Sequence, residues 1–260
     1  MIPLYDAHNH LQDERLTARV DEILRELSAL GVKGCVVNGT CEKDWLHVEA
    51  LAKQHAWIIP AFGLHPWFIK ERSSNWFDTL RQFLDRNAGA CIGEIGLDRW
   101  MRDPNVDDQE KVFVAQLELA ADRNVSASIH CLKAWGHLID LLKRHRQPER
   151  GFLIHSFGGS TEMAASLAKR GGYFSISGYF AHERKSGQRA VFEKIPIDRL
   201  LVETDAPDML PPPTLIANDV SEVNDPRNLP KIYDFAANLL AIPLPNFADQ
   251  MERNFQKLFT

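Results

Sequence analysis

The 260-residue chain has only four cysteines, Cys35, Cys41, Cys91 and Cys131, and no two of them form a CxxC pair. That spacing excludes a thiolate zinc ribbon and a dense disulfide framework, and it fits reduced thiols. Positive charge is not in excess: 30 Lys and Arg stand against 35 Asp and Glu, a formal net charge of −5. A bulk electrostatic grip on a polyanion is thereby excluded, although a local basic patch is not. Long apolar runs are also missing, and none approaches the ~18 residues of a membrane span. His8 and His10 stand so early that no signal peptide fits before them, so the expectation is a cytoplasmic protein without a membrane association. No fixed-period repeat, low-complexity tract or linker divides the chain, and the length suits one large domain over 1–260.

What the chain does have is a regular alternation. The runs LYDAHNHL, GCVVNGT, WIIPAFGLHP, CIGEIGLD, VSASIHC, GFLIHSF, YFSISG and RLLVETDAP are short and apolar or β-branched. Between them lie stretches of helical spacing, such as Leu16 to Leu30 and Asp108 to Asn124. Eight strand-like runs with helices between them argue for parallel strands joined by crossovers. The expectation is an α/β (β/α)8 TIM barrel, with an open doubly wound sheet as the alternative. One region breaks the pattern, the acidic, proline-rich segment 207–230 after the eighth run; long loops inside compact domains are commonly functional.

The polar residues fall where such a barrel would use them. In a strand, residues i and i+2 share a face, so His8 and His10 present two imidazoles side by side. His65, His130 and His155 end the third, fifth and sixth runs, Glu94 lies in the fourth, and Glu203 and Asp205 end the eighth. The C-terminal strand ends of a (β/α)8 barrel converge on one mouth. Imidazoles and carboxylates are metal ligands by type. Their number exceeds what one tetrahedral ion needs, which favours two divalent ions about 3.5–4 Å apart. Glu94 is placed to bridge them through its two oxygens, and Asp205 to orient an attacking water and take its proton. The expected chemistry is hydrolysis; Mg, Mn and Zn remain open as the metal.

DAHNHL, FGLHP, CIGEIGLD, IHC, LIHSFGGS, YFSISG, LLVETDAP and the closing ERNFQKLF together resemble the TatD family of metal-dependent deoxyribonucleases, within the amidohydrolase-like barrels. The resemblance runs from residue 5 to residue 259 in the family's order. It implies a two-metal phosphodiesterase acting on DNA, a 3′→5′ exodeoxyribonuclease. It makes His8, His10 and Glu94 ligands of one ion and Glu94, His130 and His155 ligands of the other. Asp205 would ligate and help activate water, His65 would sit by the substrate phosphate, and Glu203 would support the site beside Asp205. The chain departs from the family where substrate would be touched: Trp67 follows Pro66, Leu132 and Lys133 follow Cys131, and the loop after LLVETDAP is acidic. These departures leave a small phosphodiester, an ester or an aminoacyl-RNA linkage as the alternative substrate. Glu94, with no lysine in its run, argues against the amide hydrolases that bridge their metals through a carboxylated lysine.

Lys133, Arg99 and Arg102 are the candidates for gripping a phosphate, and Trp67, Trp100 and Trp135 for stacking on a base. Asp98 could orient a histidine, as metal sites commonly require. No obligate protein partner is evident.

Overall fold

The computed structural model describes residues 2–217 and 222–260. Eight strands form one sheet in the order β1 to β8, every adjacent pair parallel. The chain begins β1 (Leu4–Asn9), α1 (Glu14–Thr17), α2 (Val20–Ala29), β2 (Val32–Asn38), α3 (Trp45–Gln54) and β3 (Ile58–Phe62). It continues α4 (Trp76–Arg86), β4 (Cys91–Asp98), α5 (Val106–Arg123), β5 (Ala127–Leu132), α6 (Trp135–Arg144) and β6 (Phe152–Ile154). It ends α7 (Thr161–Ala168), β7 (Gly172–Ser177), α8 (Ser186–Phe192), β8 (Leu200–Glu203), α9 (Leu229–Leu239) and α10 (Leu244–Phe259). This is the (β/α)8 barrel expected from the alternation, and the doubly wound alternative is discarded.

Period-2 side-chain alternation splits the core in two. Cys35, Val37, Phe152, Ile154, Leu200 and Val202 join the helices in an outer apolar layer. Their neighbours Val36, Leu153 and Leu201 turn the other way, into a cluster with Tyr5, Ala7, Ala61, Cys91 and Tyr173. Phe255, Leu258 and Phe259 of α10 complete that inner cluster. Strands buried on both faces read as continuous apolar runs, which is why the eight runs are so legible.

The ring closes between β8 and β1, at the site residues themselves. Asp205 N donates to His8 O (2.9 Å) and His10 N donates to Ala206 O (2.8 Å). Asp6, buried, reinforces the seam by accepting from Thr204 N (2.9 Å) and Thr204 Oγ1 (2.6 Å).

The local structure differs from the expectation at several points. Leu16 to Leu30 is two helices rather than one. β3, β6 and β8 stop at Phe62, Ile154 and Glu203, so His65, His155 and Asp205 stand just beyond their strands. The segment 207–230 includes short 3-10 turns at Pro213–Leu215 and Pro226–Asn228; its residues 218–221 lie outside the described residues.

Candidate active site

Two irregularities aim the side chains. Between Asp6 and Asn9, β1 carries one more residue than its partner stretch on β2, and β4 does the same between Ile92 and Ile95 against β5. An extra residue in a strand turns a side chain that would otherwise keep the regular alternation. His8 and Glu94 fall inside these stretches. Gly63 lets β3 and β4 approach here: a Cβ on it would lie 2.6 Å from the carbonyl oxygen of Glu94.

The Glu94 carboxylate is the centre of the cluster. Its Oε2 faces Nε2 of His8 and Nε2 of His10, both at 3.3 Å. Its Oε1 faces His155 Nε2 at 2.8 Å, His130 Nδ1 at 3.2 Å and His65 Nε2 at 3.3 Å. Asp205 Oδ1 stands 3.6 Å from Nε2 of both His8 and His10, and its Oδ2 lies 3.9 Å from His155 Nδ1. Six of the sequence-predicted residues thus meet around one carboxylate.

The outer ring nitrogens decide what the inner ones offer. His10 Nδ1 lies 2.8 Å from the carbonyl oxygen of Asn38. A carbonyl only accepts, so Nδ1 carries the proton and a neutral ring turns a lone pair inward. His130 Nε2 lies 3.1 Å from Asp98 Oδ2, which likewise leaves the lone pair on Nδ1, facing Glu94. His65 is wired the opposite way. Its Nδ1 accepts from Trp67 N at 3.2 Å, so its Nε2 carries the proton and donates to Glu94. Lone pairs of His10 and His130 aimed at carboxylate oxygens repel unless a proton or a metal ion lies between them. The inner nitrogens of His8 and His10 are 3.2 Å apart, as are those of His130 and His155. Two nitrogens bound to one ion at 2.0–2.1 Å with tetrahedral angles stand about 3.3 Å apart. His155 Nδ1, buried, has no hydrogen-bond partner among the described residues. The donor set therefore fits divalent cations, with His65 supplying an N–H rather than a ligand.

A proton competes with a metal ion for the space between ring and carboxylate: burial lowers His10 and His130, but Asp205 and Glu94 raise the first, and Asp98 and Glu94 the second. Burial raises the Glu94 pKa, but His155, His65 and His8 outweigh it and hold the carboxyl well below its usual range. Burial lowers His155, while Glu94 and Asp205 bring it up to about 9. Burial also dominates at Glu203, pushed up to about 8, whereas at Asp205 burial is outweighed by His10, His155 and His8, which hold it down. Two neighbouring carboxyls whose pKa values are driven apart are suited to different tasks.

Glu203 lies beneath the cluster. Its Oε1 accepts from Ser156 N and Ser156 Oγ, both at 2.7 Å, and its Oε2 accepts from Ser175 Oγ at 2.5 Å. Asp98 binds its surroundings on every side: Gln109 pairs with its backbone, and its Oδ1 accepts from Trp100 N at 2.7 Å. Lys133 is exposed and has a left-handed backbone (φ 56°). Arg99 is exposed, with a guanidinium nitrogen 3.3 Å from His137 Nδ1. Arg102 is exposed. Trp135 packs against Phe157, ring centroids 5.2 Å apart, and is partly buried against the core, whereas Trp67 and Trp100 are exposed.

The residues that sequence reasoning missed are those that orient others: Asp6, Asn38, Ser128, Ser156 and Ser175. Ser128, whose Oγ lies 2.7 Å from His8 Nδ1, precedes His130 by two positions on its strand. That period-2 spacing is the signal that could have found it.

Barrel and donor set together define a metal-binding barrel hydrolase. Residues 5–260 match the family model described as TatD related DNase, and the chain belongs to that family. It is 28% identical over 256 residues to the uncharacterized metal-dependent hydrolase YjjV of Escherichia coli K12, spanning 98% of this chain and 96% of that one. It is 30% identical over 257 residues to the 3′-5′ ssDNA/RNA exonuclease TatD of Escherichia fergusonii, spanning 98% of each. The crystal structure of the E. coli K12 YjjV superposes with a TM-score of 0.90 at 28% identity, covering 98% of this chain and 97% of that one. A TatD family hydrolase from Entamoeba histolytica shares the fold, with a TM-score of 0.88 at 19% identity and coverage of 100% and 99%.

Proposed function

We propose that this chain is a divalent-metal-dependent phosphodiesterase that removes nucleotides from the 3′ end of single-stranded DNA, with residues 1–260 acting as one catalytic domain. The observation that carries it is the shared Glu94 carboxylate, one oxygen facing His8 and His10 and the other facing His130 and His155. Membership of the family and the exonuclease name of its relatives support the substrate. His8, His10 and Glu94 would hold one ion, and Glu94, His130 and His155 the second, with Asp205 in reach of the first. Bound there, two divalent cations, with Mg, Mn and Zn the candidates, would acidify water and neutralise charge on the phosphodiester.

The chain's own groups do the rest. Asp205, held ionised, takes the proton of the attacking water. His65, whose Nε2–H faces Glu94, would turn that donor to a phosphate oxygen. Glu203 keeps Ser156, next to His155, in place through two hydrogen bonds, is itself held by a third from Ser175, and is a positioning residue. Arg99 and Lys133 are the cations available to the nucleic-acid backbone. Among the described residues no helix is long and apolar enough to cross a membrane. The four cysteines are free, which supports a reducing compartment such as the cytoplasm.

The test is digestion of end-labelled single-stranded DNA with Mg, Mn or Zn, with a chelator, and with Asp205→Asn. Metal-dependent shortening from the 3′ end that the variant loses is the expected result. Intact DNA beside two bound ions per chain would discard the DNA substrate and turn the search to small phosphodiesters, esters and aminoacyl-RNA.

A further inference from the structure

Two tryptophans at the barrel mouth are large and exposed, and one of them, Trp67, is held in place by its ring. Trp67 is 52% exposed and Trp100 is 74% exposed. Both are tied to the same carboxylate. Trp67 Nε1 donates to Asp98 Oδ2 at 2.7 Å, and Trp100 N donates to Asp98 Oδ1 at 2.7 Å. The Trp67 indole also crosses His65 edge-to-face, centroids 5.0 Å apart. An indole anchored by its N–H and crossed by a second ring has little rotamer freedom left to lose on binding. Among the described residues no hydrogen bond or ring contact engages the Trp100 indole.

The neighbouring charges have the complementary chemistry. Arg99 N donates to Leu132 O at 2.9 Å, which brings the backbone of Arg99, the neighbour of Trp100 in sequence, beside the stretch that carries Lys133. The Lys133 ammonium makes no hydrogen bond or ion pair among the described residues. Exposed aromatic faces beside cations are what single-stranded nucleic acid binds, bases on the rings and phosphates on the charges. The chain carries this local patch in spite of its net charge of −5.

We propose that Trp67 and Trp100 form a stacking lip for the unpaired 3′-terminal bases of a single strand, with Lys133 and Arg99 on its phosphates. The proposal rests on the nuclease function put forward above and names the feature that selects its substrate. It makes the base, and not only the phosphodiester, a determinant of binding.

The probes are a 5′-labelled oligothymidylate and the same strand with abasic 3′-terminal residues, measured by fluorescence anisotropy in the Asp205→Asn background. The parent should bind the abasic strand about tenfold more weakly. Trp67→Ala should erase most of that preference, and Trp67→Phe, which keeps a ring but not the N–H, should retain it. Equal binding of both strands by the parent would overturn the proposal. So would equal weakening of both probes by Trp67→Ala and Trp67→Phe together with a drop in bound metal, because Trp67 would then act only by positioning Asp98 and His130. If the wild type shortens DNA but shows no base preference, the stacking lip falls and the nuclease stands. If it neither shortens DNA nor binds either strand, both fall.

Discussion

Asp98 Oδ2 lies 3.1 Å from His130 Nε2, on the side of the ring opposite the nitrogen that faces Glu94. A carboxylate in that position fixes the ring tautomer and its plane. Burial raises the Asp98 pKa, but hydrogen bonds from His130 and Trp67 hold it down at about 2, so the acceptor stays ionised. Replacing the outer partner of a ligating histidine costs about 10–100-fold in metal affinity or activity. Asp98→Asn should show that loss in a metal titration against a chromophoric chelator, with an unchanged circular dichroism spectrum. Unaltered affinity would mean that His130 is not a ligand or needs no orienting.

The two oxygens of Glu94 serve separate histidine sets, so its removal should differ from removal of either set. Glu94→Gln should lower bound metal towards zero and hydrolysis to background. His8→Ala with His10→Ala should lower it by about one ion per chain while leaving the fold intact. Elemental analysis of the two proteins decides between them. The full complement in the double variant would refute the assignment of His8 and His10.

The seam between β8 and β1 depends on a buried group that is no ligand. Asp6 accepts from Thr204 N, Thr204 Oγ1 and His8 N. Asp6→Ala leaves those donors buried and unpaired, at a cost of about 2–4 kcal/mol. Calorimetry should report a Tm lower by about 5–10 °C. An unshifted Tm would show that the seam holds without Asp6.

Acid should loosen the outer ring at α3. Burial raises the Glu49 pKa, but hydrogen bonds from Arg86, Asn87 and Lys53 outweigh it and hold the carboxyl at about 2. A carboxyl lowered on folding contributes stability that is present above its unfolded value of about 4.3 and is lost as pH falls through the folded one. In a solvent-screened setting the contribution is about 1 kcal/mol. Glu49→Gln should therefore lower Tm at neutral pH, and the gap to the wild type should close as pH falls from about 4.3 to about 2. A gap independent of pH would assign the effect to packing instead.

The order of elements was readable because strands buried on both faces and amphipathic crossovers leave unmistakable patterns. The residues that converge at the mouth were readable because His8, His10, Glu94 and His130 lie on strands or at their ends, where chain position already fixes the side of the barrel. Strand limits were less so: β6 keeps only Phe152–Ile154, since a strand ends where its neighbour stops pairing and not where its apolar run stops.

Sequence by itself determined the barrel, its strand order and the set of residues that converge at its mouth. Tertiary structure decided the roles within that set. Whether an imidazole turns a lone pair or an N–H inward depends on the partner of its other nitrogen. Those partners are the Asn38 carbonyl for His10, Asp98 for His130 and the Trp67 amide for His65. The first two come from other strands, and no spacing along one strand encodes which residue an adjacent strand will bring within 3 Å of it. The same holds for Asp98, which looks like the end of a strand in sequence and in space joins His130 to two exposed tryptophans.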